Sequence, residues 1–421
     1  METKTSKHLK SWLEASGAYL CAISGVAGDN SEVRARKPLM QGQLVFHVPR
    51  QTIIAQQTTL TAPIGKGKTA PDKTVSEFGV LAATLLESCD ARRTRQPYVD
   101  AIVQENISLP LLGGQEVSNC MRGSAGGRLL EDIRHVTMDD YAALRSAWSR
   151  PTPSLMEFTN MRCKVARRAV QVSFGNGPVP ALIPIVDQLT HSFSANAYCV
   201  EECRGGALVI ASENIEAGEP IRIRRALVPN SELFVVYGYP PHLNPHDTTE
   251  LPLPAPPLAH PLREELMKFG EERGSVRVLI LPSCVNEENL QKLLPYFRIW
   301  CAENAADIMQ VALSVETHQK PTWVSRINEV AAVRAMRDAC DACLKHYADG
   351  RNDVAEAEHG NSGHGMLLQL LHHARRICDD EKKLLCHWRD FCNSILSAPS
   401  ELPAGRCQRM YEGSDKTGRA R

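Results

Sequence analysis

Residues 239–261, YPPHLNPHDTTELPLPAPPLAHP, constrain this chain more than any other stretch. Each proline fixes φ and removes a backbone donor, so no regular helix runs through the segment. A break there divides 421 residues, more than one core usually serves, into two parts of unlike pattern. Before it, QLVFHVPR (43–50), TIIAQ (52–56) and the runs near 181–187, 207–211, 219–223 and ELFVVYG (232–238) read as short strands. Between them Phe78, Leu81, Leu85 and Leu86 recur at helical spacing, and 138–172 offers further helix. After it Leu266, Phe269, Val330, Val333, Met336 and Leu344 mark apolar helix faces, and EKKLLCHWRDFCNSIL (381–396) is amphipathic. The expected fold is α+β. A helix over 1–20 leads into a β-rich domain over 21–250 with a helical insert at about 75–175. An all-α domain over 255–398 and a polar tail over 399–421, read as disordered, complete it.

Composition removes several function classes. Basic and acidic side chains number 48 each, so a broad nucleic-acid footprint is not expected. No apolar run approaches the length of a membrane span, and METKTSKHLKSWLEASGAYL lacks the apolar core of a secretory signal. Fourteen cysteines scatter singly, which fits reduced thiols and a cytoplasmic or nuclear location. Cys340 and Cys343 form a CxxC and Cys199 and Cys203 a CxxxC, but neither has a second pair at zinc-finger spacing, so no metal is expected. HGNSGHG (359–365) and His372-His373 read as solvated histidines. GKGK (65–68) lacks the strand and the GK[ST] of a phosphate loop.

The stretch ALIPIVDQLTHSFSANAY (181–198) runs from buried-looking positions into Asp187, then Thr190-His191-Ser192 and Tyr198. Alone it reads as a core strand ending in a capped turn. Five other stretches change its meaning: LMQGQLVFHVPR, QPYVDAIVQENISLPLLGG, KVARRAV (164–170), SELFVVYGYPPHLNPHDTTELPL and INEVAAVRAMRDACDACLKHYADG. With PIVDQLTHS they run in the order of six motifs, and from about residue 20 to 395 the chain resembles the Rubisco large-subunit methyltransferase-like class of SET-domain proteins. Among these, Pro97-Tyr98-Val99-Asp100 stands for P-Y-[LV]-D, and PIVDQLTHS for P-[LI]-x-D-x-[LI]-N-H-S with Thr190 in place of asparagine.

The resemblance implies methyl transfer from S-adenosylmethionine to a lysine or histidine nitrogen of a protein substrate, by a chain expected to be monomeric. It assigns the cofactor to Asp29, Ser31, Arg168, Thr190 and His191, and the substrate channel to Arg168, Asp187 and Tyr198. Arg168 with Asp187 equally reads as an internal ion pair. Asp29-Asn30-Ser31-Glu32-Val33 stands where the family has G-x-G-[LI], with Gly25 and Gly28 close by. The family tyrosine in G-E-x-[IV]-x-I-x-Y-G falls on Arg225, or on Arg224 if the loop is one residue longer. A guanidinium about 5 Å from a sulfonium costs roughly 3 kcal/mol at an effective dielectric of 20. Tyr237 is the other candidate for the orienting phenol, with 215–230 as a loop insertion. Two readings follow: a methyltransferase with a divergent site, or a SET-like scaffold that binds a partner without transferring methyl groups. A zinc-dependent nucleic-acid factor has only scattered Cys and His behind it.

Overall fold

The computed structural model describes residues 4–25, 32–55, 75–88, 97–145, 148, 152–173, 178–201, 206–241, 243–256, 263–273, 276–302, 325–347 and 365–397. The chain divides into two compact units. The first comprises Met1–Ser118, Leu129–Pro245 and Val354–His373; the second comprises Asn119–Arg128, His246–Asp353 and Ala374–Arg421. In chain order the helices are α1 (Lys4–Ala15), α2 (Glu77–Ser88), α3 (Pro97–Gln104), α4 (Gly114–Cys120), α5 (Ala125–Leu144), α6 (Leu155–Arg168), α7 (Asn230–Tyr237), α8 (Arg263–Leu266), α9 (Glu287–Trp300), α10 (Arg326–His346) and α11 (Gly365–Leu396).

In the first unit the strands are short. A five-stranded sheet has the order β3 (Leu44–Val48), β9 (Ala207–Ala211), β8 (Ala197–Glu201), β10 (Arg222–Ile223), β7 (Thr190–His191). A three-stranded sheet orders β4 (Ile54–Ala55), β6 (Pro178–Leu182), β5 (Val170–Ser173), and β1 (Ile23–Ser24) pairs with β2 (Arg34–Ala35). Strand β9 buries Ala207, Val209 and Ala211 while Leu208 and Ile210 are half-buried, the period-2 pattern of a one-sided strand. One core, including Phe46, Tyr98, Phe158, Leu182 and Ile223, runs beneath these sheets and helices.

Two local devices set up the site. Helix α6 starts in a capping box: Ser154 accepts from the Glu157 backbone N–H, and Glu157 accepts from that of Ser154. It ends with Arg167 and Arg168 in its last turn, where cations suit the helix dipole, before Ala169 turns extended into β5. The other device is Asn196, which has no exposed surface. Its side chain accepts from the Arg222 N–H at 2.8 Å and donates to the Pro220 carbonyl at 3.0 Å, pinning the chain at β10 beside β8. Strand β10 pairs in parallel with both β7 and β8.

The α+β class and the helical C-terminal region stand, with one correction: the second unit is not all-α. It holds an antiparallel sheet of order β11 (Thr248–Pro252), β13 (Val276–Pro282), β12 (Glu271–Arg273). Pro252 ends an edge strand, where the missing donor costs little. A second correction concerns ELFVVYG, which is helix α7 and not a strand. Its apolar run is buried around Leu233, Phe234 and Val235, and Gly238 at φ 83° closes it in the left-handed conformation.

Buried polar clusters fix the second unit from within. Arg298, fully buried, forks onto both oxygens of Glu329 at 2.7 Å, and Asn328 donates to the Arg298 carbonyl at 2.9 Å. The carboxylate of Glu381 accepts the N–H groups of Ala125 at 2.8 Å and Gly126 at 3.2 Å, the first residues of α5, and the Tyr347 hydroxyl at 2.8 Å. Burial pushes Glu381 up to about 7. Gly123, at φ 87°, lies so close to the His346 carbonyl that a Cβ would stand 2.2 Å from its oxygen.

Candidate functional site

The site is gathered in the first unit around the turn from β6 to β7. Ile185 has φ 71°, the positive value among the described non-glycine residues, and a β-branched side chain there is strained. That conformation leads the chain into a 3₁₀ turn, Val186–Gln188, that buries Asp187. Asp187 Oδ2 accepts from Arg168 Nη1 at 2.5 Å and from the Tyr98 hydroxyl at 2.9 Å. Glu105 then bridges the two arginines that end α6, taking Arg167 Nη1 and Arg168 Nε at 2.8 Å each. Burial alone would lower the Arg168 guanidinium, and Asp187 and Glu105 more than reverse it. Burial and Asp187 hold the Tyr98 phenol far above its ordinary range.

Arg225 follows β10 and supplies the other half. Its backbone N–H donates to His191 Nδ1 at 3.2 Å. Its guanidinium donates to the carbonyls of Arg167 at 3.0 Å and Leu189 at 3.2 Å, and to that of Asp187. The bond at Nδ1 makes that nitrogen an acceptor, so a neutral His191 carries its proton on Nε2. Burial, then Arg225 and Arg224, lower the His191 pKa. Three buried polar atoms here have no hydrogen-bond partner: Asp187 Oδ1, His191 Nε2 and Arg225 Nε. Buried orphans of this kind mark a place for a further polar group.

Two phenols complete the cluster. The Tyr239 ring lies 6.3 Å from His191 and 6.5 Å from Tyr237, centroid to centroid. Burial raises both phenols, Tyr239 to about 12, and Arg225 pulls back on each. Both stay protonated near neutral pH. Beside the cluster a groove of about 330 Å³ runs between β5 and β8, within the range of small-molecule sites. Gln171, Tyr198, Cys199, Ser212, Arg224 and Arg225 are among its lining residues.

The sequence-derived residues divide as follows. Arg168, Asp187, His191, Arg225 and Tyr237 come together, Tyr237 from helix α7. Arg168 and Asp187 meet each other as a buried pair, while Tyr198, 46% exposed, lines the groove. Thr190 is exposed on β7, parallel to Arg222. Asp29, Ser31 and Gly28 lie outside the described residues. Gly25, at the edge of that gap, has φ 80° and approaches Glu32 so closely that a Cβ would stand 2.3 Å from its carbonyl oxygen. Sequence reasoning missed Glu105, Tyr239 and the role of Tyr98. Tyr98 was visible inside P-Y-V-D, but its contact with a residue 89 positions later was not.

Among the described residues no helix is long and apolar enough to cross a membrane, and no group of three or more His, Cys, Asp or Glu could hold a metal ion. The described cysteines are free; burial pushes Cys343 and Cys199 up to about 11 each. HGNSGH (359–364), GKGK and Cys203 lie outside the described residues.

Residues 260–385 match the family model described as Rubisco LSMT substrate-binding. A comparison with curated proteins gives no match. Solved structures match along the whole chain. The SET domain of LSMT bound to lysine and AdoHcy superposes with a TM-score of 0.72 at 17% identity, covering 98% of this chain and 97% of that one. Rubisco LSMT bound to sinefungin and monomethyllysine gives 0.71 at 17%, covering 97% and 96%. Rubisco LSMT bound to AdoMet gives 0.69 at 17%, covering 99% and 98%. The chain has the fold of these proteins.

Proposed function

We propose that this protein is an S-adenosylmethionine-dependent N-methyltransferase of the SET class, acting on a lysine or histidine side chain of a protein substrate. The observation that carries it is that Asp187 Oδ1, His191 Nε2 and Arg225 Nε, on residues joined by hydrogen bonds, are buried and unpaired in a chain with the fold of ligand-bound LSMT. An acceptor and two donors suit a ligand with an ammonium, a carboxylate, hydroxyls and an adenine amine, so the residues fit the cofactor. His191, Asp187 and Arg225 would hold it, with Arg168 fixing Asp187 and Thr190 at the margin. The cofactor supplies an electrophilic methyl group.

The chain's own residues position and control charge. The Tyr237 and Tyr239 phenols, kept protonated, orient a substrate nitrogen and take no charge of their own. His191, held neutral, adds no cation beside a sulfonium. Arg225 spends its guanidinium on backbone carbonyls next to Asp187, which softens the repulsion that its charge alone would bring.

One observation favours the scaffold reading. Arg167, Arg168 and Arg225 face two carboxylates, Glu105 and Asp187, leaving a surplus positive charge in the cluster that would disfavour a cationic cofactor. Calorimetry with S-adenosylmethionine and its demethylated product separates the two. Micromolar binding, tenfold or more weaker in Asp187→Asn, together with transfer of labelled methyl groups to protein in a cell extract, supports the enzyme. A flat titration at millimolar cofactor leaves the scaffold. Protein as partner or substrate fits the match to a substrate-binding family; we propose no nucleic-acid, membrane or metal partner, a monomer, and a cytoplasmic or nuclear location.

A further inference from the structure

The groove between β5 and β8 carries a charge that its own walls do not answer. Among the described residues no aspartate or glutamate lines it, whereas Arg224 and Arg225 both do. Arg225 is committed to the carbonyls of Arg167, Asp187 and Leu189. Arg224 is not. It is exposed, and its Nη2 donates to the Phe193 carbonyl at 3.2 Å. Its neighbour Arg222 reaches Glu219 at 3.5 Å, but among the described residues Arg224 has no carboxylate of its own. A guanidinium offers five donors in a planar fork that matches a carboxylate, so most of this group's capacity is unspent. The opposite wall is β5, which among the described residues is an edge strand pairing only with β6, and Gln171 and Val172 from it face the groove. An unpaired edge receives an extended segment, and the guanidinium across from it reads that segment's side chains.

We propose that Arg224 is a specificity residue: the groove takes an extended protein segment that carries an aspartate or glutamate close to the side chain to be modified. The idea takes from the methyltransferase reading only that the occupant is a protein substrate. The preference for a carboxylate is measured by binding, without methyl transfer.

The probes are fluorescein-labelled nonapeptides of alanine, glycine and serine around one lysine, flanked by two aspartates, two asparagines or two arginines, followed by fluorescence anisotropy. The wild type should bind the aspartate peptide about tenfold more tightly than the asparagine one. That margin should shrink as salt is raised. Arg224→Glu should invert the order, and Arg224→Ala should level it. Equal affinities for the three peptides, no binding of any up to millimolar, or an acidic preference that survives in Arg224→Glu would overturn the proposal. Circular dichroism checks that the variants fold; if Arg224→Glu did not, the wild-type ranking and its salt dependence decide. An acidic preference beside a flat cofactor titration would sink the methyl-transfer reading and leave this one standing.

Discussion

Asp187 in the first unit and Glu381 in the second are both buried carboxylates, held by opposite means. Asp187 sits among cations, at Arg168 Nη1 and close to the Arg225 guanidinium, with one oxygen left over. Glu381 sits at a helix N-terminus, its oxygens filled by two backbone N–H groups and a phenol. The first has strong charge partners and an oxygen left without a hydrogen bond; the second has neutral donors on both oxygens. Spare capacity is what a ligand site needs. Saturation among neutral donors instead makes a group whose proton matters to stability.

Removing the cation-held carboxylate should have the largest effect. Asp187→Ala strands Arg168 and Arg225 in a buried place and should cost about 3–5 kcal/mol in urea unfolding. A variant as stable as the wild type would erase the contrast. Glu381 should show itself through pH. Its native value of about 7 exceeds the ordinary 4.5, so the folded state holds the proton more tightly. Its contribution is therefore full below about pH 4.5 and lost as pH rises towards 7, a fall of about 3 kcal/mol. Thermal melts across that window should slope downward in the wild type and lose that slope in Glu381→Gln.

The segment that feeds Glu381 offers a third test. Gly123→Ala combines a positive φ with the contact at His346 and should cost about 2 kcal/mol by denaturant unfolding. Gly42→Ala, at φ 80° with open space around it, should cost about half as much. The smallest effect belongs to His191. Its native pKa is lowered, so its contribution is intact above the ordinary 6.5 and declines as pH falls below that, the opposite sign to Glu381. The ring is half-buried, and solvent screening keeps the effect under about 1 kcal/mol. His191→Gln should remove this acid limb in melts between pH 6.5 and 5, and an unchanged limb would assign it elsewhere.

Elements whose apolar pattern matched their surroundings were legible. ALVIA gave β9, which shows its alternation, and LVFHV gave β3. ELFVVY misled because a short apolar run carries no period, and only burial on all sides makes it a helix. The sheet of the second unit was hidden by the prolines in and around β11, although VRVLILP has the β-branched content of a strand. In the site, the meeting of His191 with the chain after β10 was readable from ordered motifs. The strained φ of Ile185 and the bond from Tyr98 to Asp187 were not, because each depends on packing between segments far apart in sequence.

The parallel seating of β10 between β7 and β8 also sets a timetable. A growing polypeptide that has reached Ala211 already owns both strands of the β8–β9 hairpin, yet His191 still lacks the backbone that will cover its ring nitrogen. Parallel pairings across a long loop close slowly. The pocket is therefore closed only after the hairpin beside it exists, and a small molecule lodged there would act as a latch on a newly made protein.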